Sequence, residues 1–327
     1  MTFMPKALTG LVGAAALAVG LAGSASAETV RVALGDVASV EQLAFMVALE
    51  RAKEKGLDYE LTTFSKEELA IQALISGQMD VGIGTPYSVI QKSKAPLRIF
   101  FQLSKLTFFP VVTSDVTDWA GMDGKPITLH SRGGGTDAIA SIIERREGIT
   151  FGERSYVPGS ENRVVAMLRG QVNASIVDIA NKNLLLAEGG DKYNVLPMFD
   201  VKASDEVLFA NQDWLDANES DVDILVEALL STWREMAEDP TIIDKERQRF
   251  NLLSDLPPEL LTDVDAYYAE AIEGGLFDPS GGGEEAAKAD FEFYTESGQL
   301  EGDPASLKVE DFWDMRALDA AKEKLGS

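Results

Sequence analysis

Cysteine is absent from this chain of 327 residues, and histidine occurs once, at position 130. Without thiols there is no disulfide, no thiolate nucleophile and no cysteine metal site, so stability must come from well-filled cores. A lone His130 leaves no nucleophile beside a histidine base, and no H-E-x-x-H spacing is present. Neither an enzyme nor a metal or cofactor site is expected.

Basic side chains are also scarce. Lys and Arg number 29 against 54 Asp and Glu, a formal charge of −25. Such a surface repels nucleic acid. The acidic residues are dispersed and form no block of the kind that marks a disordered tail.

Long apolar runs are limited to one, Ala7 to Ala22, which follows Lys6 and precedes Ala25-Ser26-Ala27. The run is shorter than the ~20 residues a bilayer requires and no basic cluster follows it. It reads as a secretory signal peptide over residues 1–27, cleaved after Ala27, and the expected product is a periplasmic, soluble monomer. Cleavage removes one charge, Lys6, and makes the protein slightly more acidic.

What remains carries a repeat. Val30 to Leu34 reads as a strand, Val40 to Lys55 as a helix that Gly56 ends, and Tyr59 to Phe64 as a second strand. Ser65 to Ser76 is helical, closed by Gly77, and leads to a strand over Val81 to Gly84. The β-α-β-α-β order returns over Ile127 to Val177, where Ala166 to Asn173 (AMLRGQVN) answers Ala73 to Asp80 (ALISGQMD). Two such units predict an α/β protein of two lobes, each a mostly parallel sheet flanked by helices. Residues 28–112 are assigned to lobe 1, 113–207 to lobe 2, and 208–327 to a return into lobe 1 with C-terminal helices padding it.

The order VALERAKEKGLDYELTTFSKEELAIQALISGQMDVGIGTP, continued by MDGKPITLHSRGGGTDAI, VPGSENRVVAMLRGQVNASIVDIANKNLLL and LKVEDFWDMRALDAA, resembles the periplasmic binding proteins for nitrate, sulfonates, taurine and thiamine-type pyrimidines. The resemblance spans nearly the whole chain after the signal peptide. It implies the type II periplasmic-binding fold with a discontinuous first lobe, and capture of a small molecule for an ABC importer whose permease lies in the membrane.

Ligands of open α/β sheets bind beyond the carboxyl ends of the strands, which selects the loops that follow them. Those loops hold Asp36 and Val37, Phe64 and Ser65, Thr85 and Tyr87, and Ser104 and Lys105 on one side. Ser131, Arg132, Gly133, Gly134, Gly135 and Thr136, with Asp178 and Asn181, face them on the other. The glycine-rich loop precedes a helix, where free amides and the dipole favour an anion, and Arg132 could hold a carboxylate or sulfonate with two hydrogen bonds. These features predict an anionic ligand. The alternative is an aromatic heterocycle stacked on Phe64 and Tyr87 and bonded to Asp178, and a further alternative is a sensing module for a membrane receptor. Whether His130 or Arg163 reaches the ligand stays open at this stage.

Overall fold

The computed structural model describes residues 29–36, 38–255 and 264–326. The expected signal peptide and Val37 lie outside the described residues. Among the described residues no helix is long and apolar enough to cross a membrane.

The first repeat folds as β1 (Val30–Leu34), α1 (Leu43–Glu54), β2 (Tyr59–Thr63), α2 (Glu67–Ile75) and β3 (Val81–Gly84), followed by α3 (Tyr87–Ser93) and β4 (Leu97–Gln102). The chain then passes through β5 (Phe109–Thr113) into the second repeat. That repeat comprises β6 (Ile127–Leu129), α4 (Gly135–Glu147), β7 (Arg154–Tyr156), α5 (Ser160–Leu168) and β8 (Ala174–Val177), with α6 (Ile179–Gly189) and β9 (Tyr193–Val195) after it. The return is β10 (Val207–Asn211), and among the described residues the α-helices after it are α7 (Gln212–Ala217), α8 (Glu219–Glu238), α9 (Ile242–Phe250), α10 (Val264–Glu273), α11 (Glu284–Ser297) and α12 (Arg316–Leu325).

The repeat is structural as well as sequential. Gly77 and Gly170 take φ of +71° and +69°, the left-handed conformation that ends a helix at low cost only for glycine. The amide after each glycine turns back to the helix, Gln78 N to Ala73 O at 2.8 Å and Gln171 N to Ala166 O at 2.9 Å. Each helix is therefore cut at the same length and delivers a strand that is buried throughout, β3 in one copy and β8 in the other.

Two five-stranded sheets result, in the orders β2-β1-β3-β10-β4 and β7-β6-β8-β5-β9. Strands β1, β2 and β3 are mutually parallel, as are β6, β7 and β8. The crossing strands run the other way: β10 pairs antiparallel with β3, and β5 antiparallel with β8. The expected first boundary after residue 112 moves, because Phe109–Thr113 pairs with β8 and β9 and so belongs to the second sheet.

One apolar cluster joins the first sheet to α1, α8 and α12 through Leu34, Leu43, Leu49, Leu225, Leu229, Trp233 and Leu318. A second is continuous across both sheets: Ala33, Ile99 and Phe209 share it with Ile127, Leu129, Ile139 and Ile142. The C-terminal helices do not all pad the first lobe. Phe291 and Tyr294 of α11 enter the shared cluster, and the same helix reaches α4 through Arg146 Nε to Glu296 Oε1 at 2.7 Å. Its two neighbours divide its side chains, so α11 ties the sheets together on one flank.

Candidate functional site

A narrow cavity of about 50 Å³ lies between the sheets at the carboxyl ends of β1, β3 and β6. Gly35, Asp36, Glu41, Glu67, Gly84, Thr85, Asp205 and Glu206 line one side; Phe108, His130, Gly135, Thr136, Ser160 and Arg163 line the other.

Glu67, the first residue of α2, is fixed by three donors. Thr85 gives its backbone N–H (2.5 Å) and hydroxyl (2.8 Å) to Oε1, and Ser131 gives its hydroxyl to Oε2 at 2.8 Å. The last bond crosses from one lobe to the other. A Cβ on Gly35 would stand 2.7 Å from Glu67 Cα, and one on Gly84 would stand 2.4 Å from Oε1. The glycines are therefore a socket for this carboxylate.

Arg163 is 1% exposed and spends its hydrogens inside its own lobe. Nε donates to Ser175 Oγ at 3.1 Å, Nη1 to Val157 O at 2.8 Å, and Nη2 to Ser160 Oγ at 2.8 Å and Ile176 O at 3.1 Å. His130 Nδ1 lies 3.7 Å from Asp36 but accepts from Gly159 N at 3.4 Å. Burial, with the charge of Arg163 beside it, pushes the His130 pKa down to about 4, so the ring is neutral at pH 7 and forms no ion pair there.

The acids respond in the opposite sense. Burial first, and then the charges of Asp178, Asp205, Glu206 and Asp36, hold the Glu41 carboxyl well above its ordinary range. Asp205 and Glu206 are raised for the same two reasons, burial leading and neighbouring carboxylates adding. Glu161 is pushed up to about 7, again by burial and then by Asp36 and Asp178. Like charges gathered out of water resist ionisation together.

The residues picked from sequence divide. Asp36, Thr85, Gly135 and Thr136 line the cavity, and Ser131 reaches it through Glu67. Asp178 caps α6, accepting from Asn181 N and Nδ2 at 2.9 Å each, and its charge is felt by Glu41 and Asp205. Ser104 is buried behind the cavity, where its hydroxyl accepts from Glu206 N at 3.3 Å.

Others point elsewhere. Arg132 is exposed and stacks over the Tyr156 ring at 4.8 Å, off the cavity, and Lys105 pairs with Asp278 at 3.0 Å. The Gly133 amide, expected to greet an anion, donates to Asp137 Oδ2 at 3.0 Å, and Gly134 stands beside Glu67. Tyr87 is 1% exposed, stacked on Tyr294 at 4.9 Å, with its hydroxyl between Asp290 and Trp313; it is a core residue. Phe64 packs against the shared core, and Ser65 is exposed beside it.

Sequence reasoning missed Glu41, Glu67, Phe108, Ser160, Asp205 and Glu206. The repeat alignment that sets Ala73 against Ala166 also pairs Glu67 with Ser160, the first residues of α2 and α5, and both line the cavity. Asp205, Glu206 and Phe108 enter for another reason. Because β10 and β5 run antiparallel, their amino ends lie beside the carboxyl ends of β3 and β8, as the pairs Val207–Gly84 and Phe109–Val177 show.

Two α/β sheets facing one cavity across their strand ends define the architecture of a periplasmic binding protein. The chain belongs to the NMT1/THI5-like family, whose model matches residues 43–242. Among solved structures, a protein of Bordetella bronchiseptica is 18% identical with a TM-score of 0.74, over 91% of this chain and 98% of that one. The periplasmic nitrate-binding protein NrtA of Synechocystis PCC 6803 is 15% identical (TM-score 0.67; 91% and 89% covered). The alkanesulfonate-binding protein SsuA of Xanthomonas axonopodis pv. citri, bound to MOPS, is 16% identical (TM-score 0.64; 87% and 98% covered). No curated protein sequence matches the chain.

Proposed function

We propose that this protein is the periplasmic solute-binding component of an ABC importer, that it holds a small molecule in the cavity between its sheets, and that it turns over no substrate. The observation that carries this reading is the cavity itself, built at pseudo-symmetric strand ends and closed from both sides by Glu67, Thr85 and Asp205 against Thr136, Ser160 and Arg163. Family membership and the binding-protein fold of its neighbours support it. Export, a chain beginning at Glu28, a monomeric state and a permease partner belong to the same proposal.

The nitrate- and sulfonate-binding relatives would suggest an oxyanion, as the Arg132 loop did. The cavity wall argues against that ligand, since five carboxylates line it and the two expected cationic contacts, Arg132 and Lys105, are engaged outside it. A planar ligand stacked on Tyr87 meets the same objection, because that ring is inside the core.

The test is uptake. Protein recovered from the periplasm should have the mass of residues 28–327 and carry or bind a small molecule, and a deletion strain should lose import of that molecule. Retained residues 1–27, or binding without any dependence of uptake on the protein, would overturn the importer reading.

A further inference from the structure

The cavity is a strongly acidic space. Asp36, Glu41, Glu67, Asp205 and Glu206 face it, and among the described residues the opposing cation is Arg163. The guanidinium of that residue is held by Ser175, Val157, Ser160 and Ile176, and His130 is neutral. Glu67 is satisfied by Thr85 and Ser131, and Gln42 beside Glu206 opposes the rise of its pKa. The carboxylates of Glu41 and Asp205 have neither a hydrogen-bond donor nor an ion-pair partner among the described residues. Both side chains are half-buried at the cavity wall, and carboxylates partly withdrawn from water without partners are costly, which leaves these two open to donors that arrive from outside.

We propose that the cavity takes a small organic cation, a protonated amine or an amidinium, whose N–H groups are bound by Glu41 and Asp205. The inference rests on the reading of this cavity as the solute site and names the class of solute. Phe108 lines the opposite wall, and an aromatic ring beside a desolvated ammonium adds a favourable contact with its π face. A metal ion fits less well, since no group of three or more His, Asp or Glu among the described residues is arranged to hold one. The cavity of about 50 Å³ suits a ligand of few heavy atoms.

The charge also explains how binding would drive closure. Asp36 and Glu41 come from the first lobe, and so do Asp205 and Glu206, which lie ahead of the expected boundary at residue 207 but bond to Leu103 and Ser104 of the first lobe; Asp178 and Glu161 face them from the second. Closing the lobes brings these groups together, which is unfavourable until a positive charge sits between them. A cation therefore binds the closed form better than the open one, the differential affinity that a ligand-driven clamp requires.

Calorimetric titration and thermal shift of the whole mature protein can test this with putrescine, choline and guanidinium chlorides, each at millimolar concentration. Methanesulfonate, nitrate and cytosine serve as anionic and neutral probes, and calcium chloride with and without EDTA as the metal control. At least one organic cation should bind, more tightly at pH 8 than at pH 5, and Glu41→Gln and Asp205→Asn should each weaken it about tenfold or more. At pH 8 the ligand-free variants should melt higher than wild type, because each removes a repelled charge; a misfolded variant would melt lower. Methanesulfonate, nitrate or cytosine saturating the protein while no cation binds overturns the cation and leaves the solute-binding reading intact. A calcium shift reversed by EDTA, or no cation binding at all, also overturns it. A cation that binds both variants as tightly as wild type lies outside this cavity, and both readings then fall.

Discussion

Tyr87 shows how far a residue's surroundings decide its role. It follows a strand end in the first repeat, where sequence reasoning expects ligand contacts, yet Pro86 opens α3 at that point and turns the ring inward. There its hydroxyl accepts from Trp313 Nε1 at 3.0 Å and donates to Asp290, which Ser204 also holds through its backbone N–H and hydroxyl. Burial pushes Asp290 up to about 7 against the opposing effect of these donors. Tyr87→Phe removes one donor from a buried carboxyl and should cost about 1–3 kcal/mol in urea unfolding. Ligand affinity should be unchanged; a loss of affinity at constant stability would return Tyr87 to the binding site.

At the scale of elements, the strands of the repeat were legible because they are buried and bounded by glycine. Val30–Leu34, Val81–Gly84 and Ala174–Val177 fall where the β-branched runs and turn residues placed them. Strand Tyr193–Val195 lies outside the repeat and was not read, and α3 was hidden under the loop assigned to Tyr87. The site was less legible than the fold. Asp36, Thr85 and Thr136 could be reached from the strand-end rule, but Asp205, Glu206 and Phe108 depend on two strands running antiparallel, and strand direction is a product of the whole sheet. Glu67 depends on glycines from three separate loops. Gly84 has φ +146°, a conformation strained for any other residue, and an added Cβ would strike the Glu67 carboxylate. Gly84→Ala should therefore lower stability by about 1–3 kcal/mol and also weaken ligand binding, measured by thermal melting and calorimetry. Unaltered binding in a folded Gly84→Ala protein would show that the position of Glu67 does not matter to the site.

For the molecule as a whole, the acidic cavity sets a dependence on pH. Glu161 and Asp290 have folded-state values of about 7, above those of the unfolded chain, so the folded state holds extra protons and loses stability as pH rises from about 4.5 through 7. Glu41, Asp205 and Glu206 are shifted in the same direction. His130 opposes them: its depressed value contributes stability above about pH 6.5 that is lost as pH falls through about 4. The carboxyls outnumber it. The melting temperature of ligand-free protein should fall between about pH 5 and 7.5, and its radius of gyration should grow as the lobes repel. A melting temperature that rises over that range would mean the carboxyls are solvated and the cavity open throughout.

The apolar cluster shared by the two sheets has a consequence for how the protein comes apart. Ile99 and Phe209 of one sheet and Leu129 and Ile139 of the other half pack in one continuous interior, with Phe291 and Tyr294 bridging them. Neither half can melt without opening the interior of its neighbour, and no disulfide holds a half together alone. Loss of structure should thus be a single cooperative event despite the size of the chain. Differential scanning calorimetry should give one endotherm with matching calorimetric and van't Hoff enthalpies, and two resolved transitions would show that the halves are energetically independent.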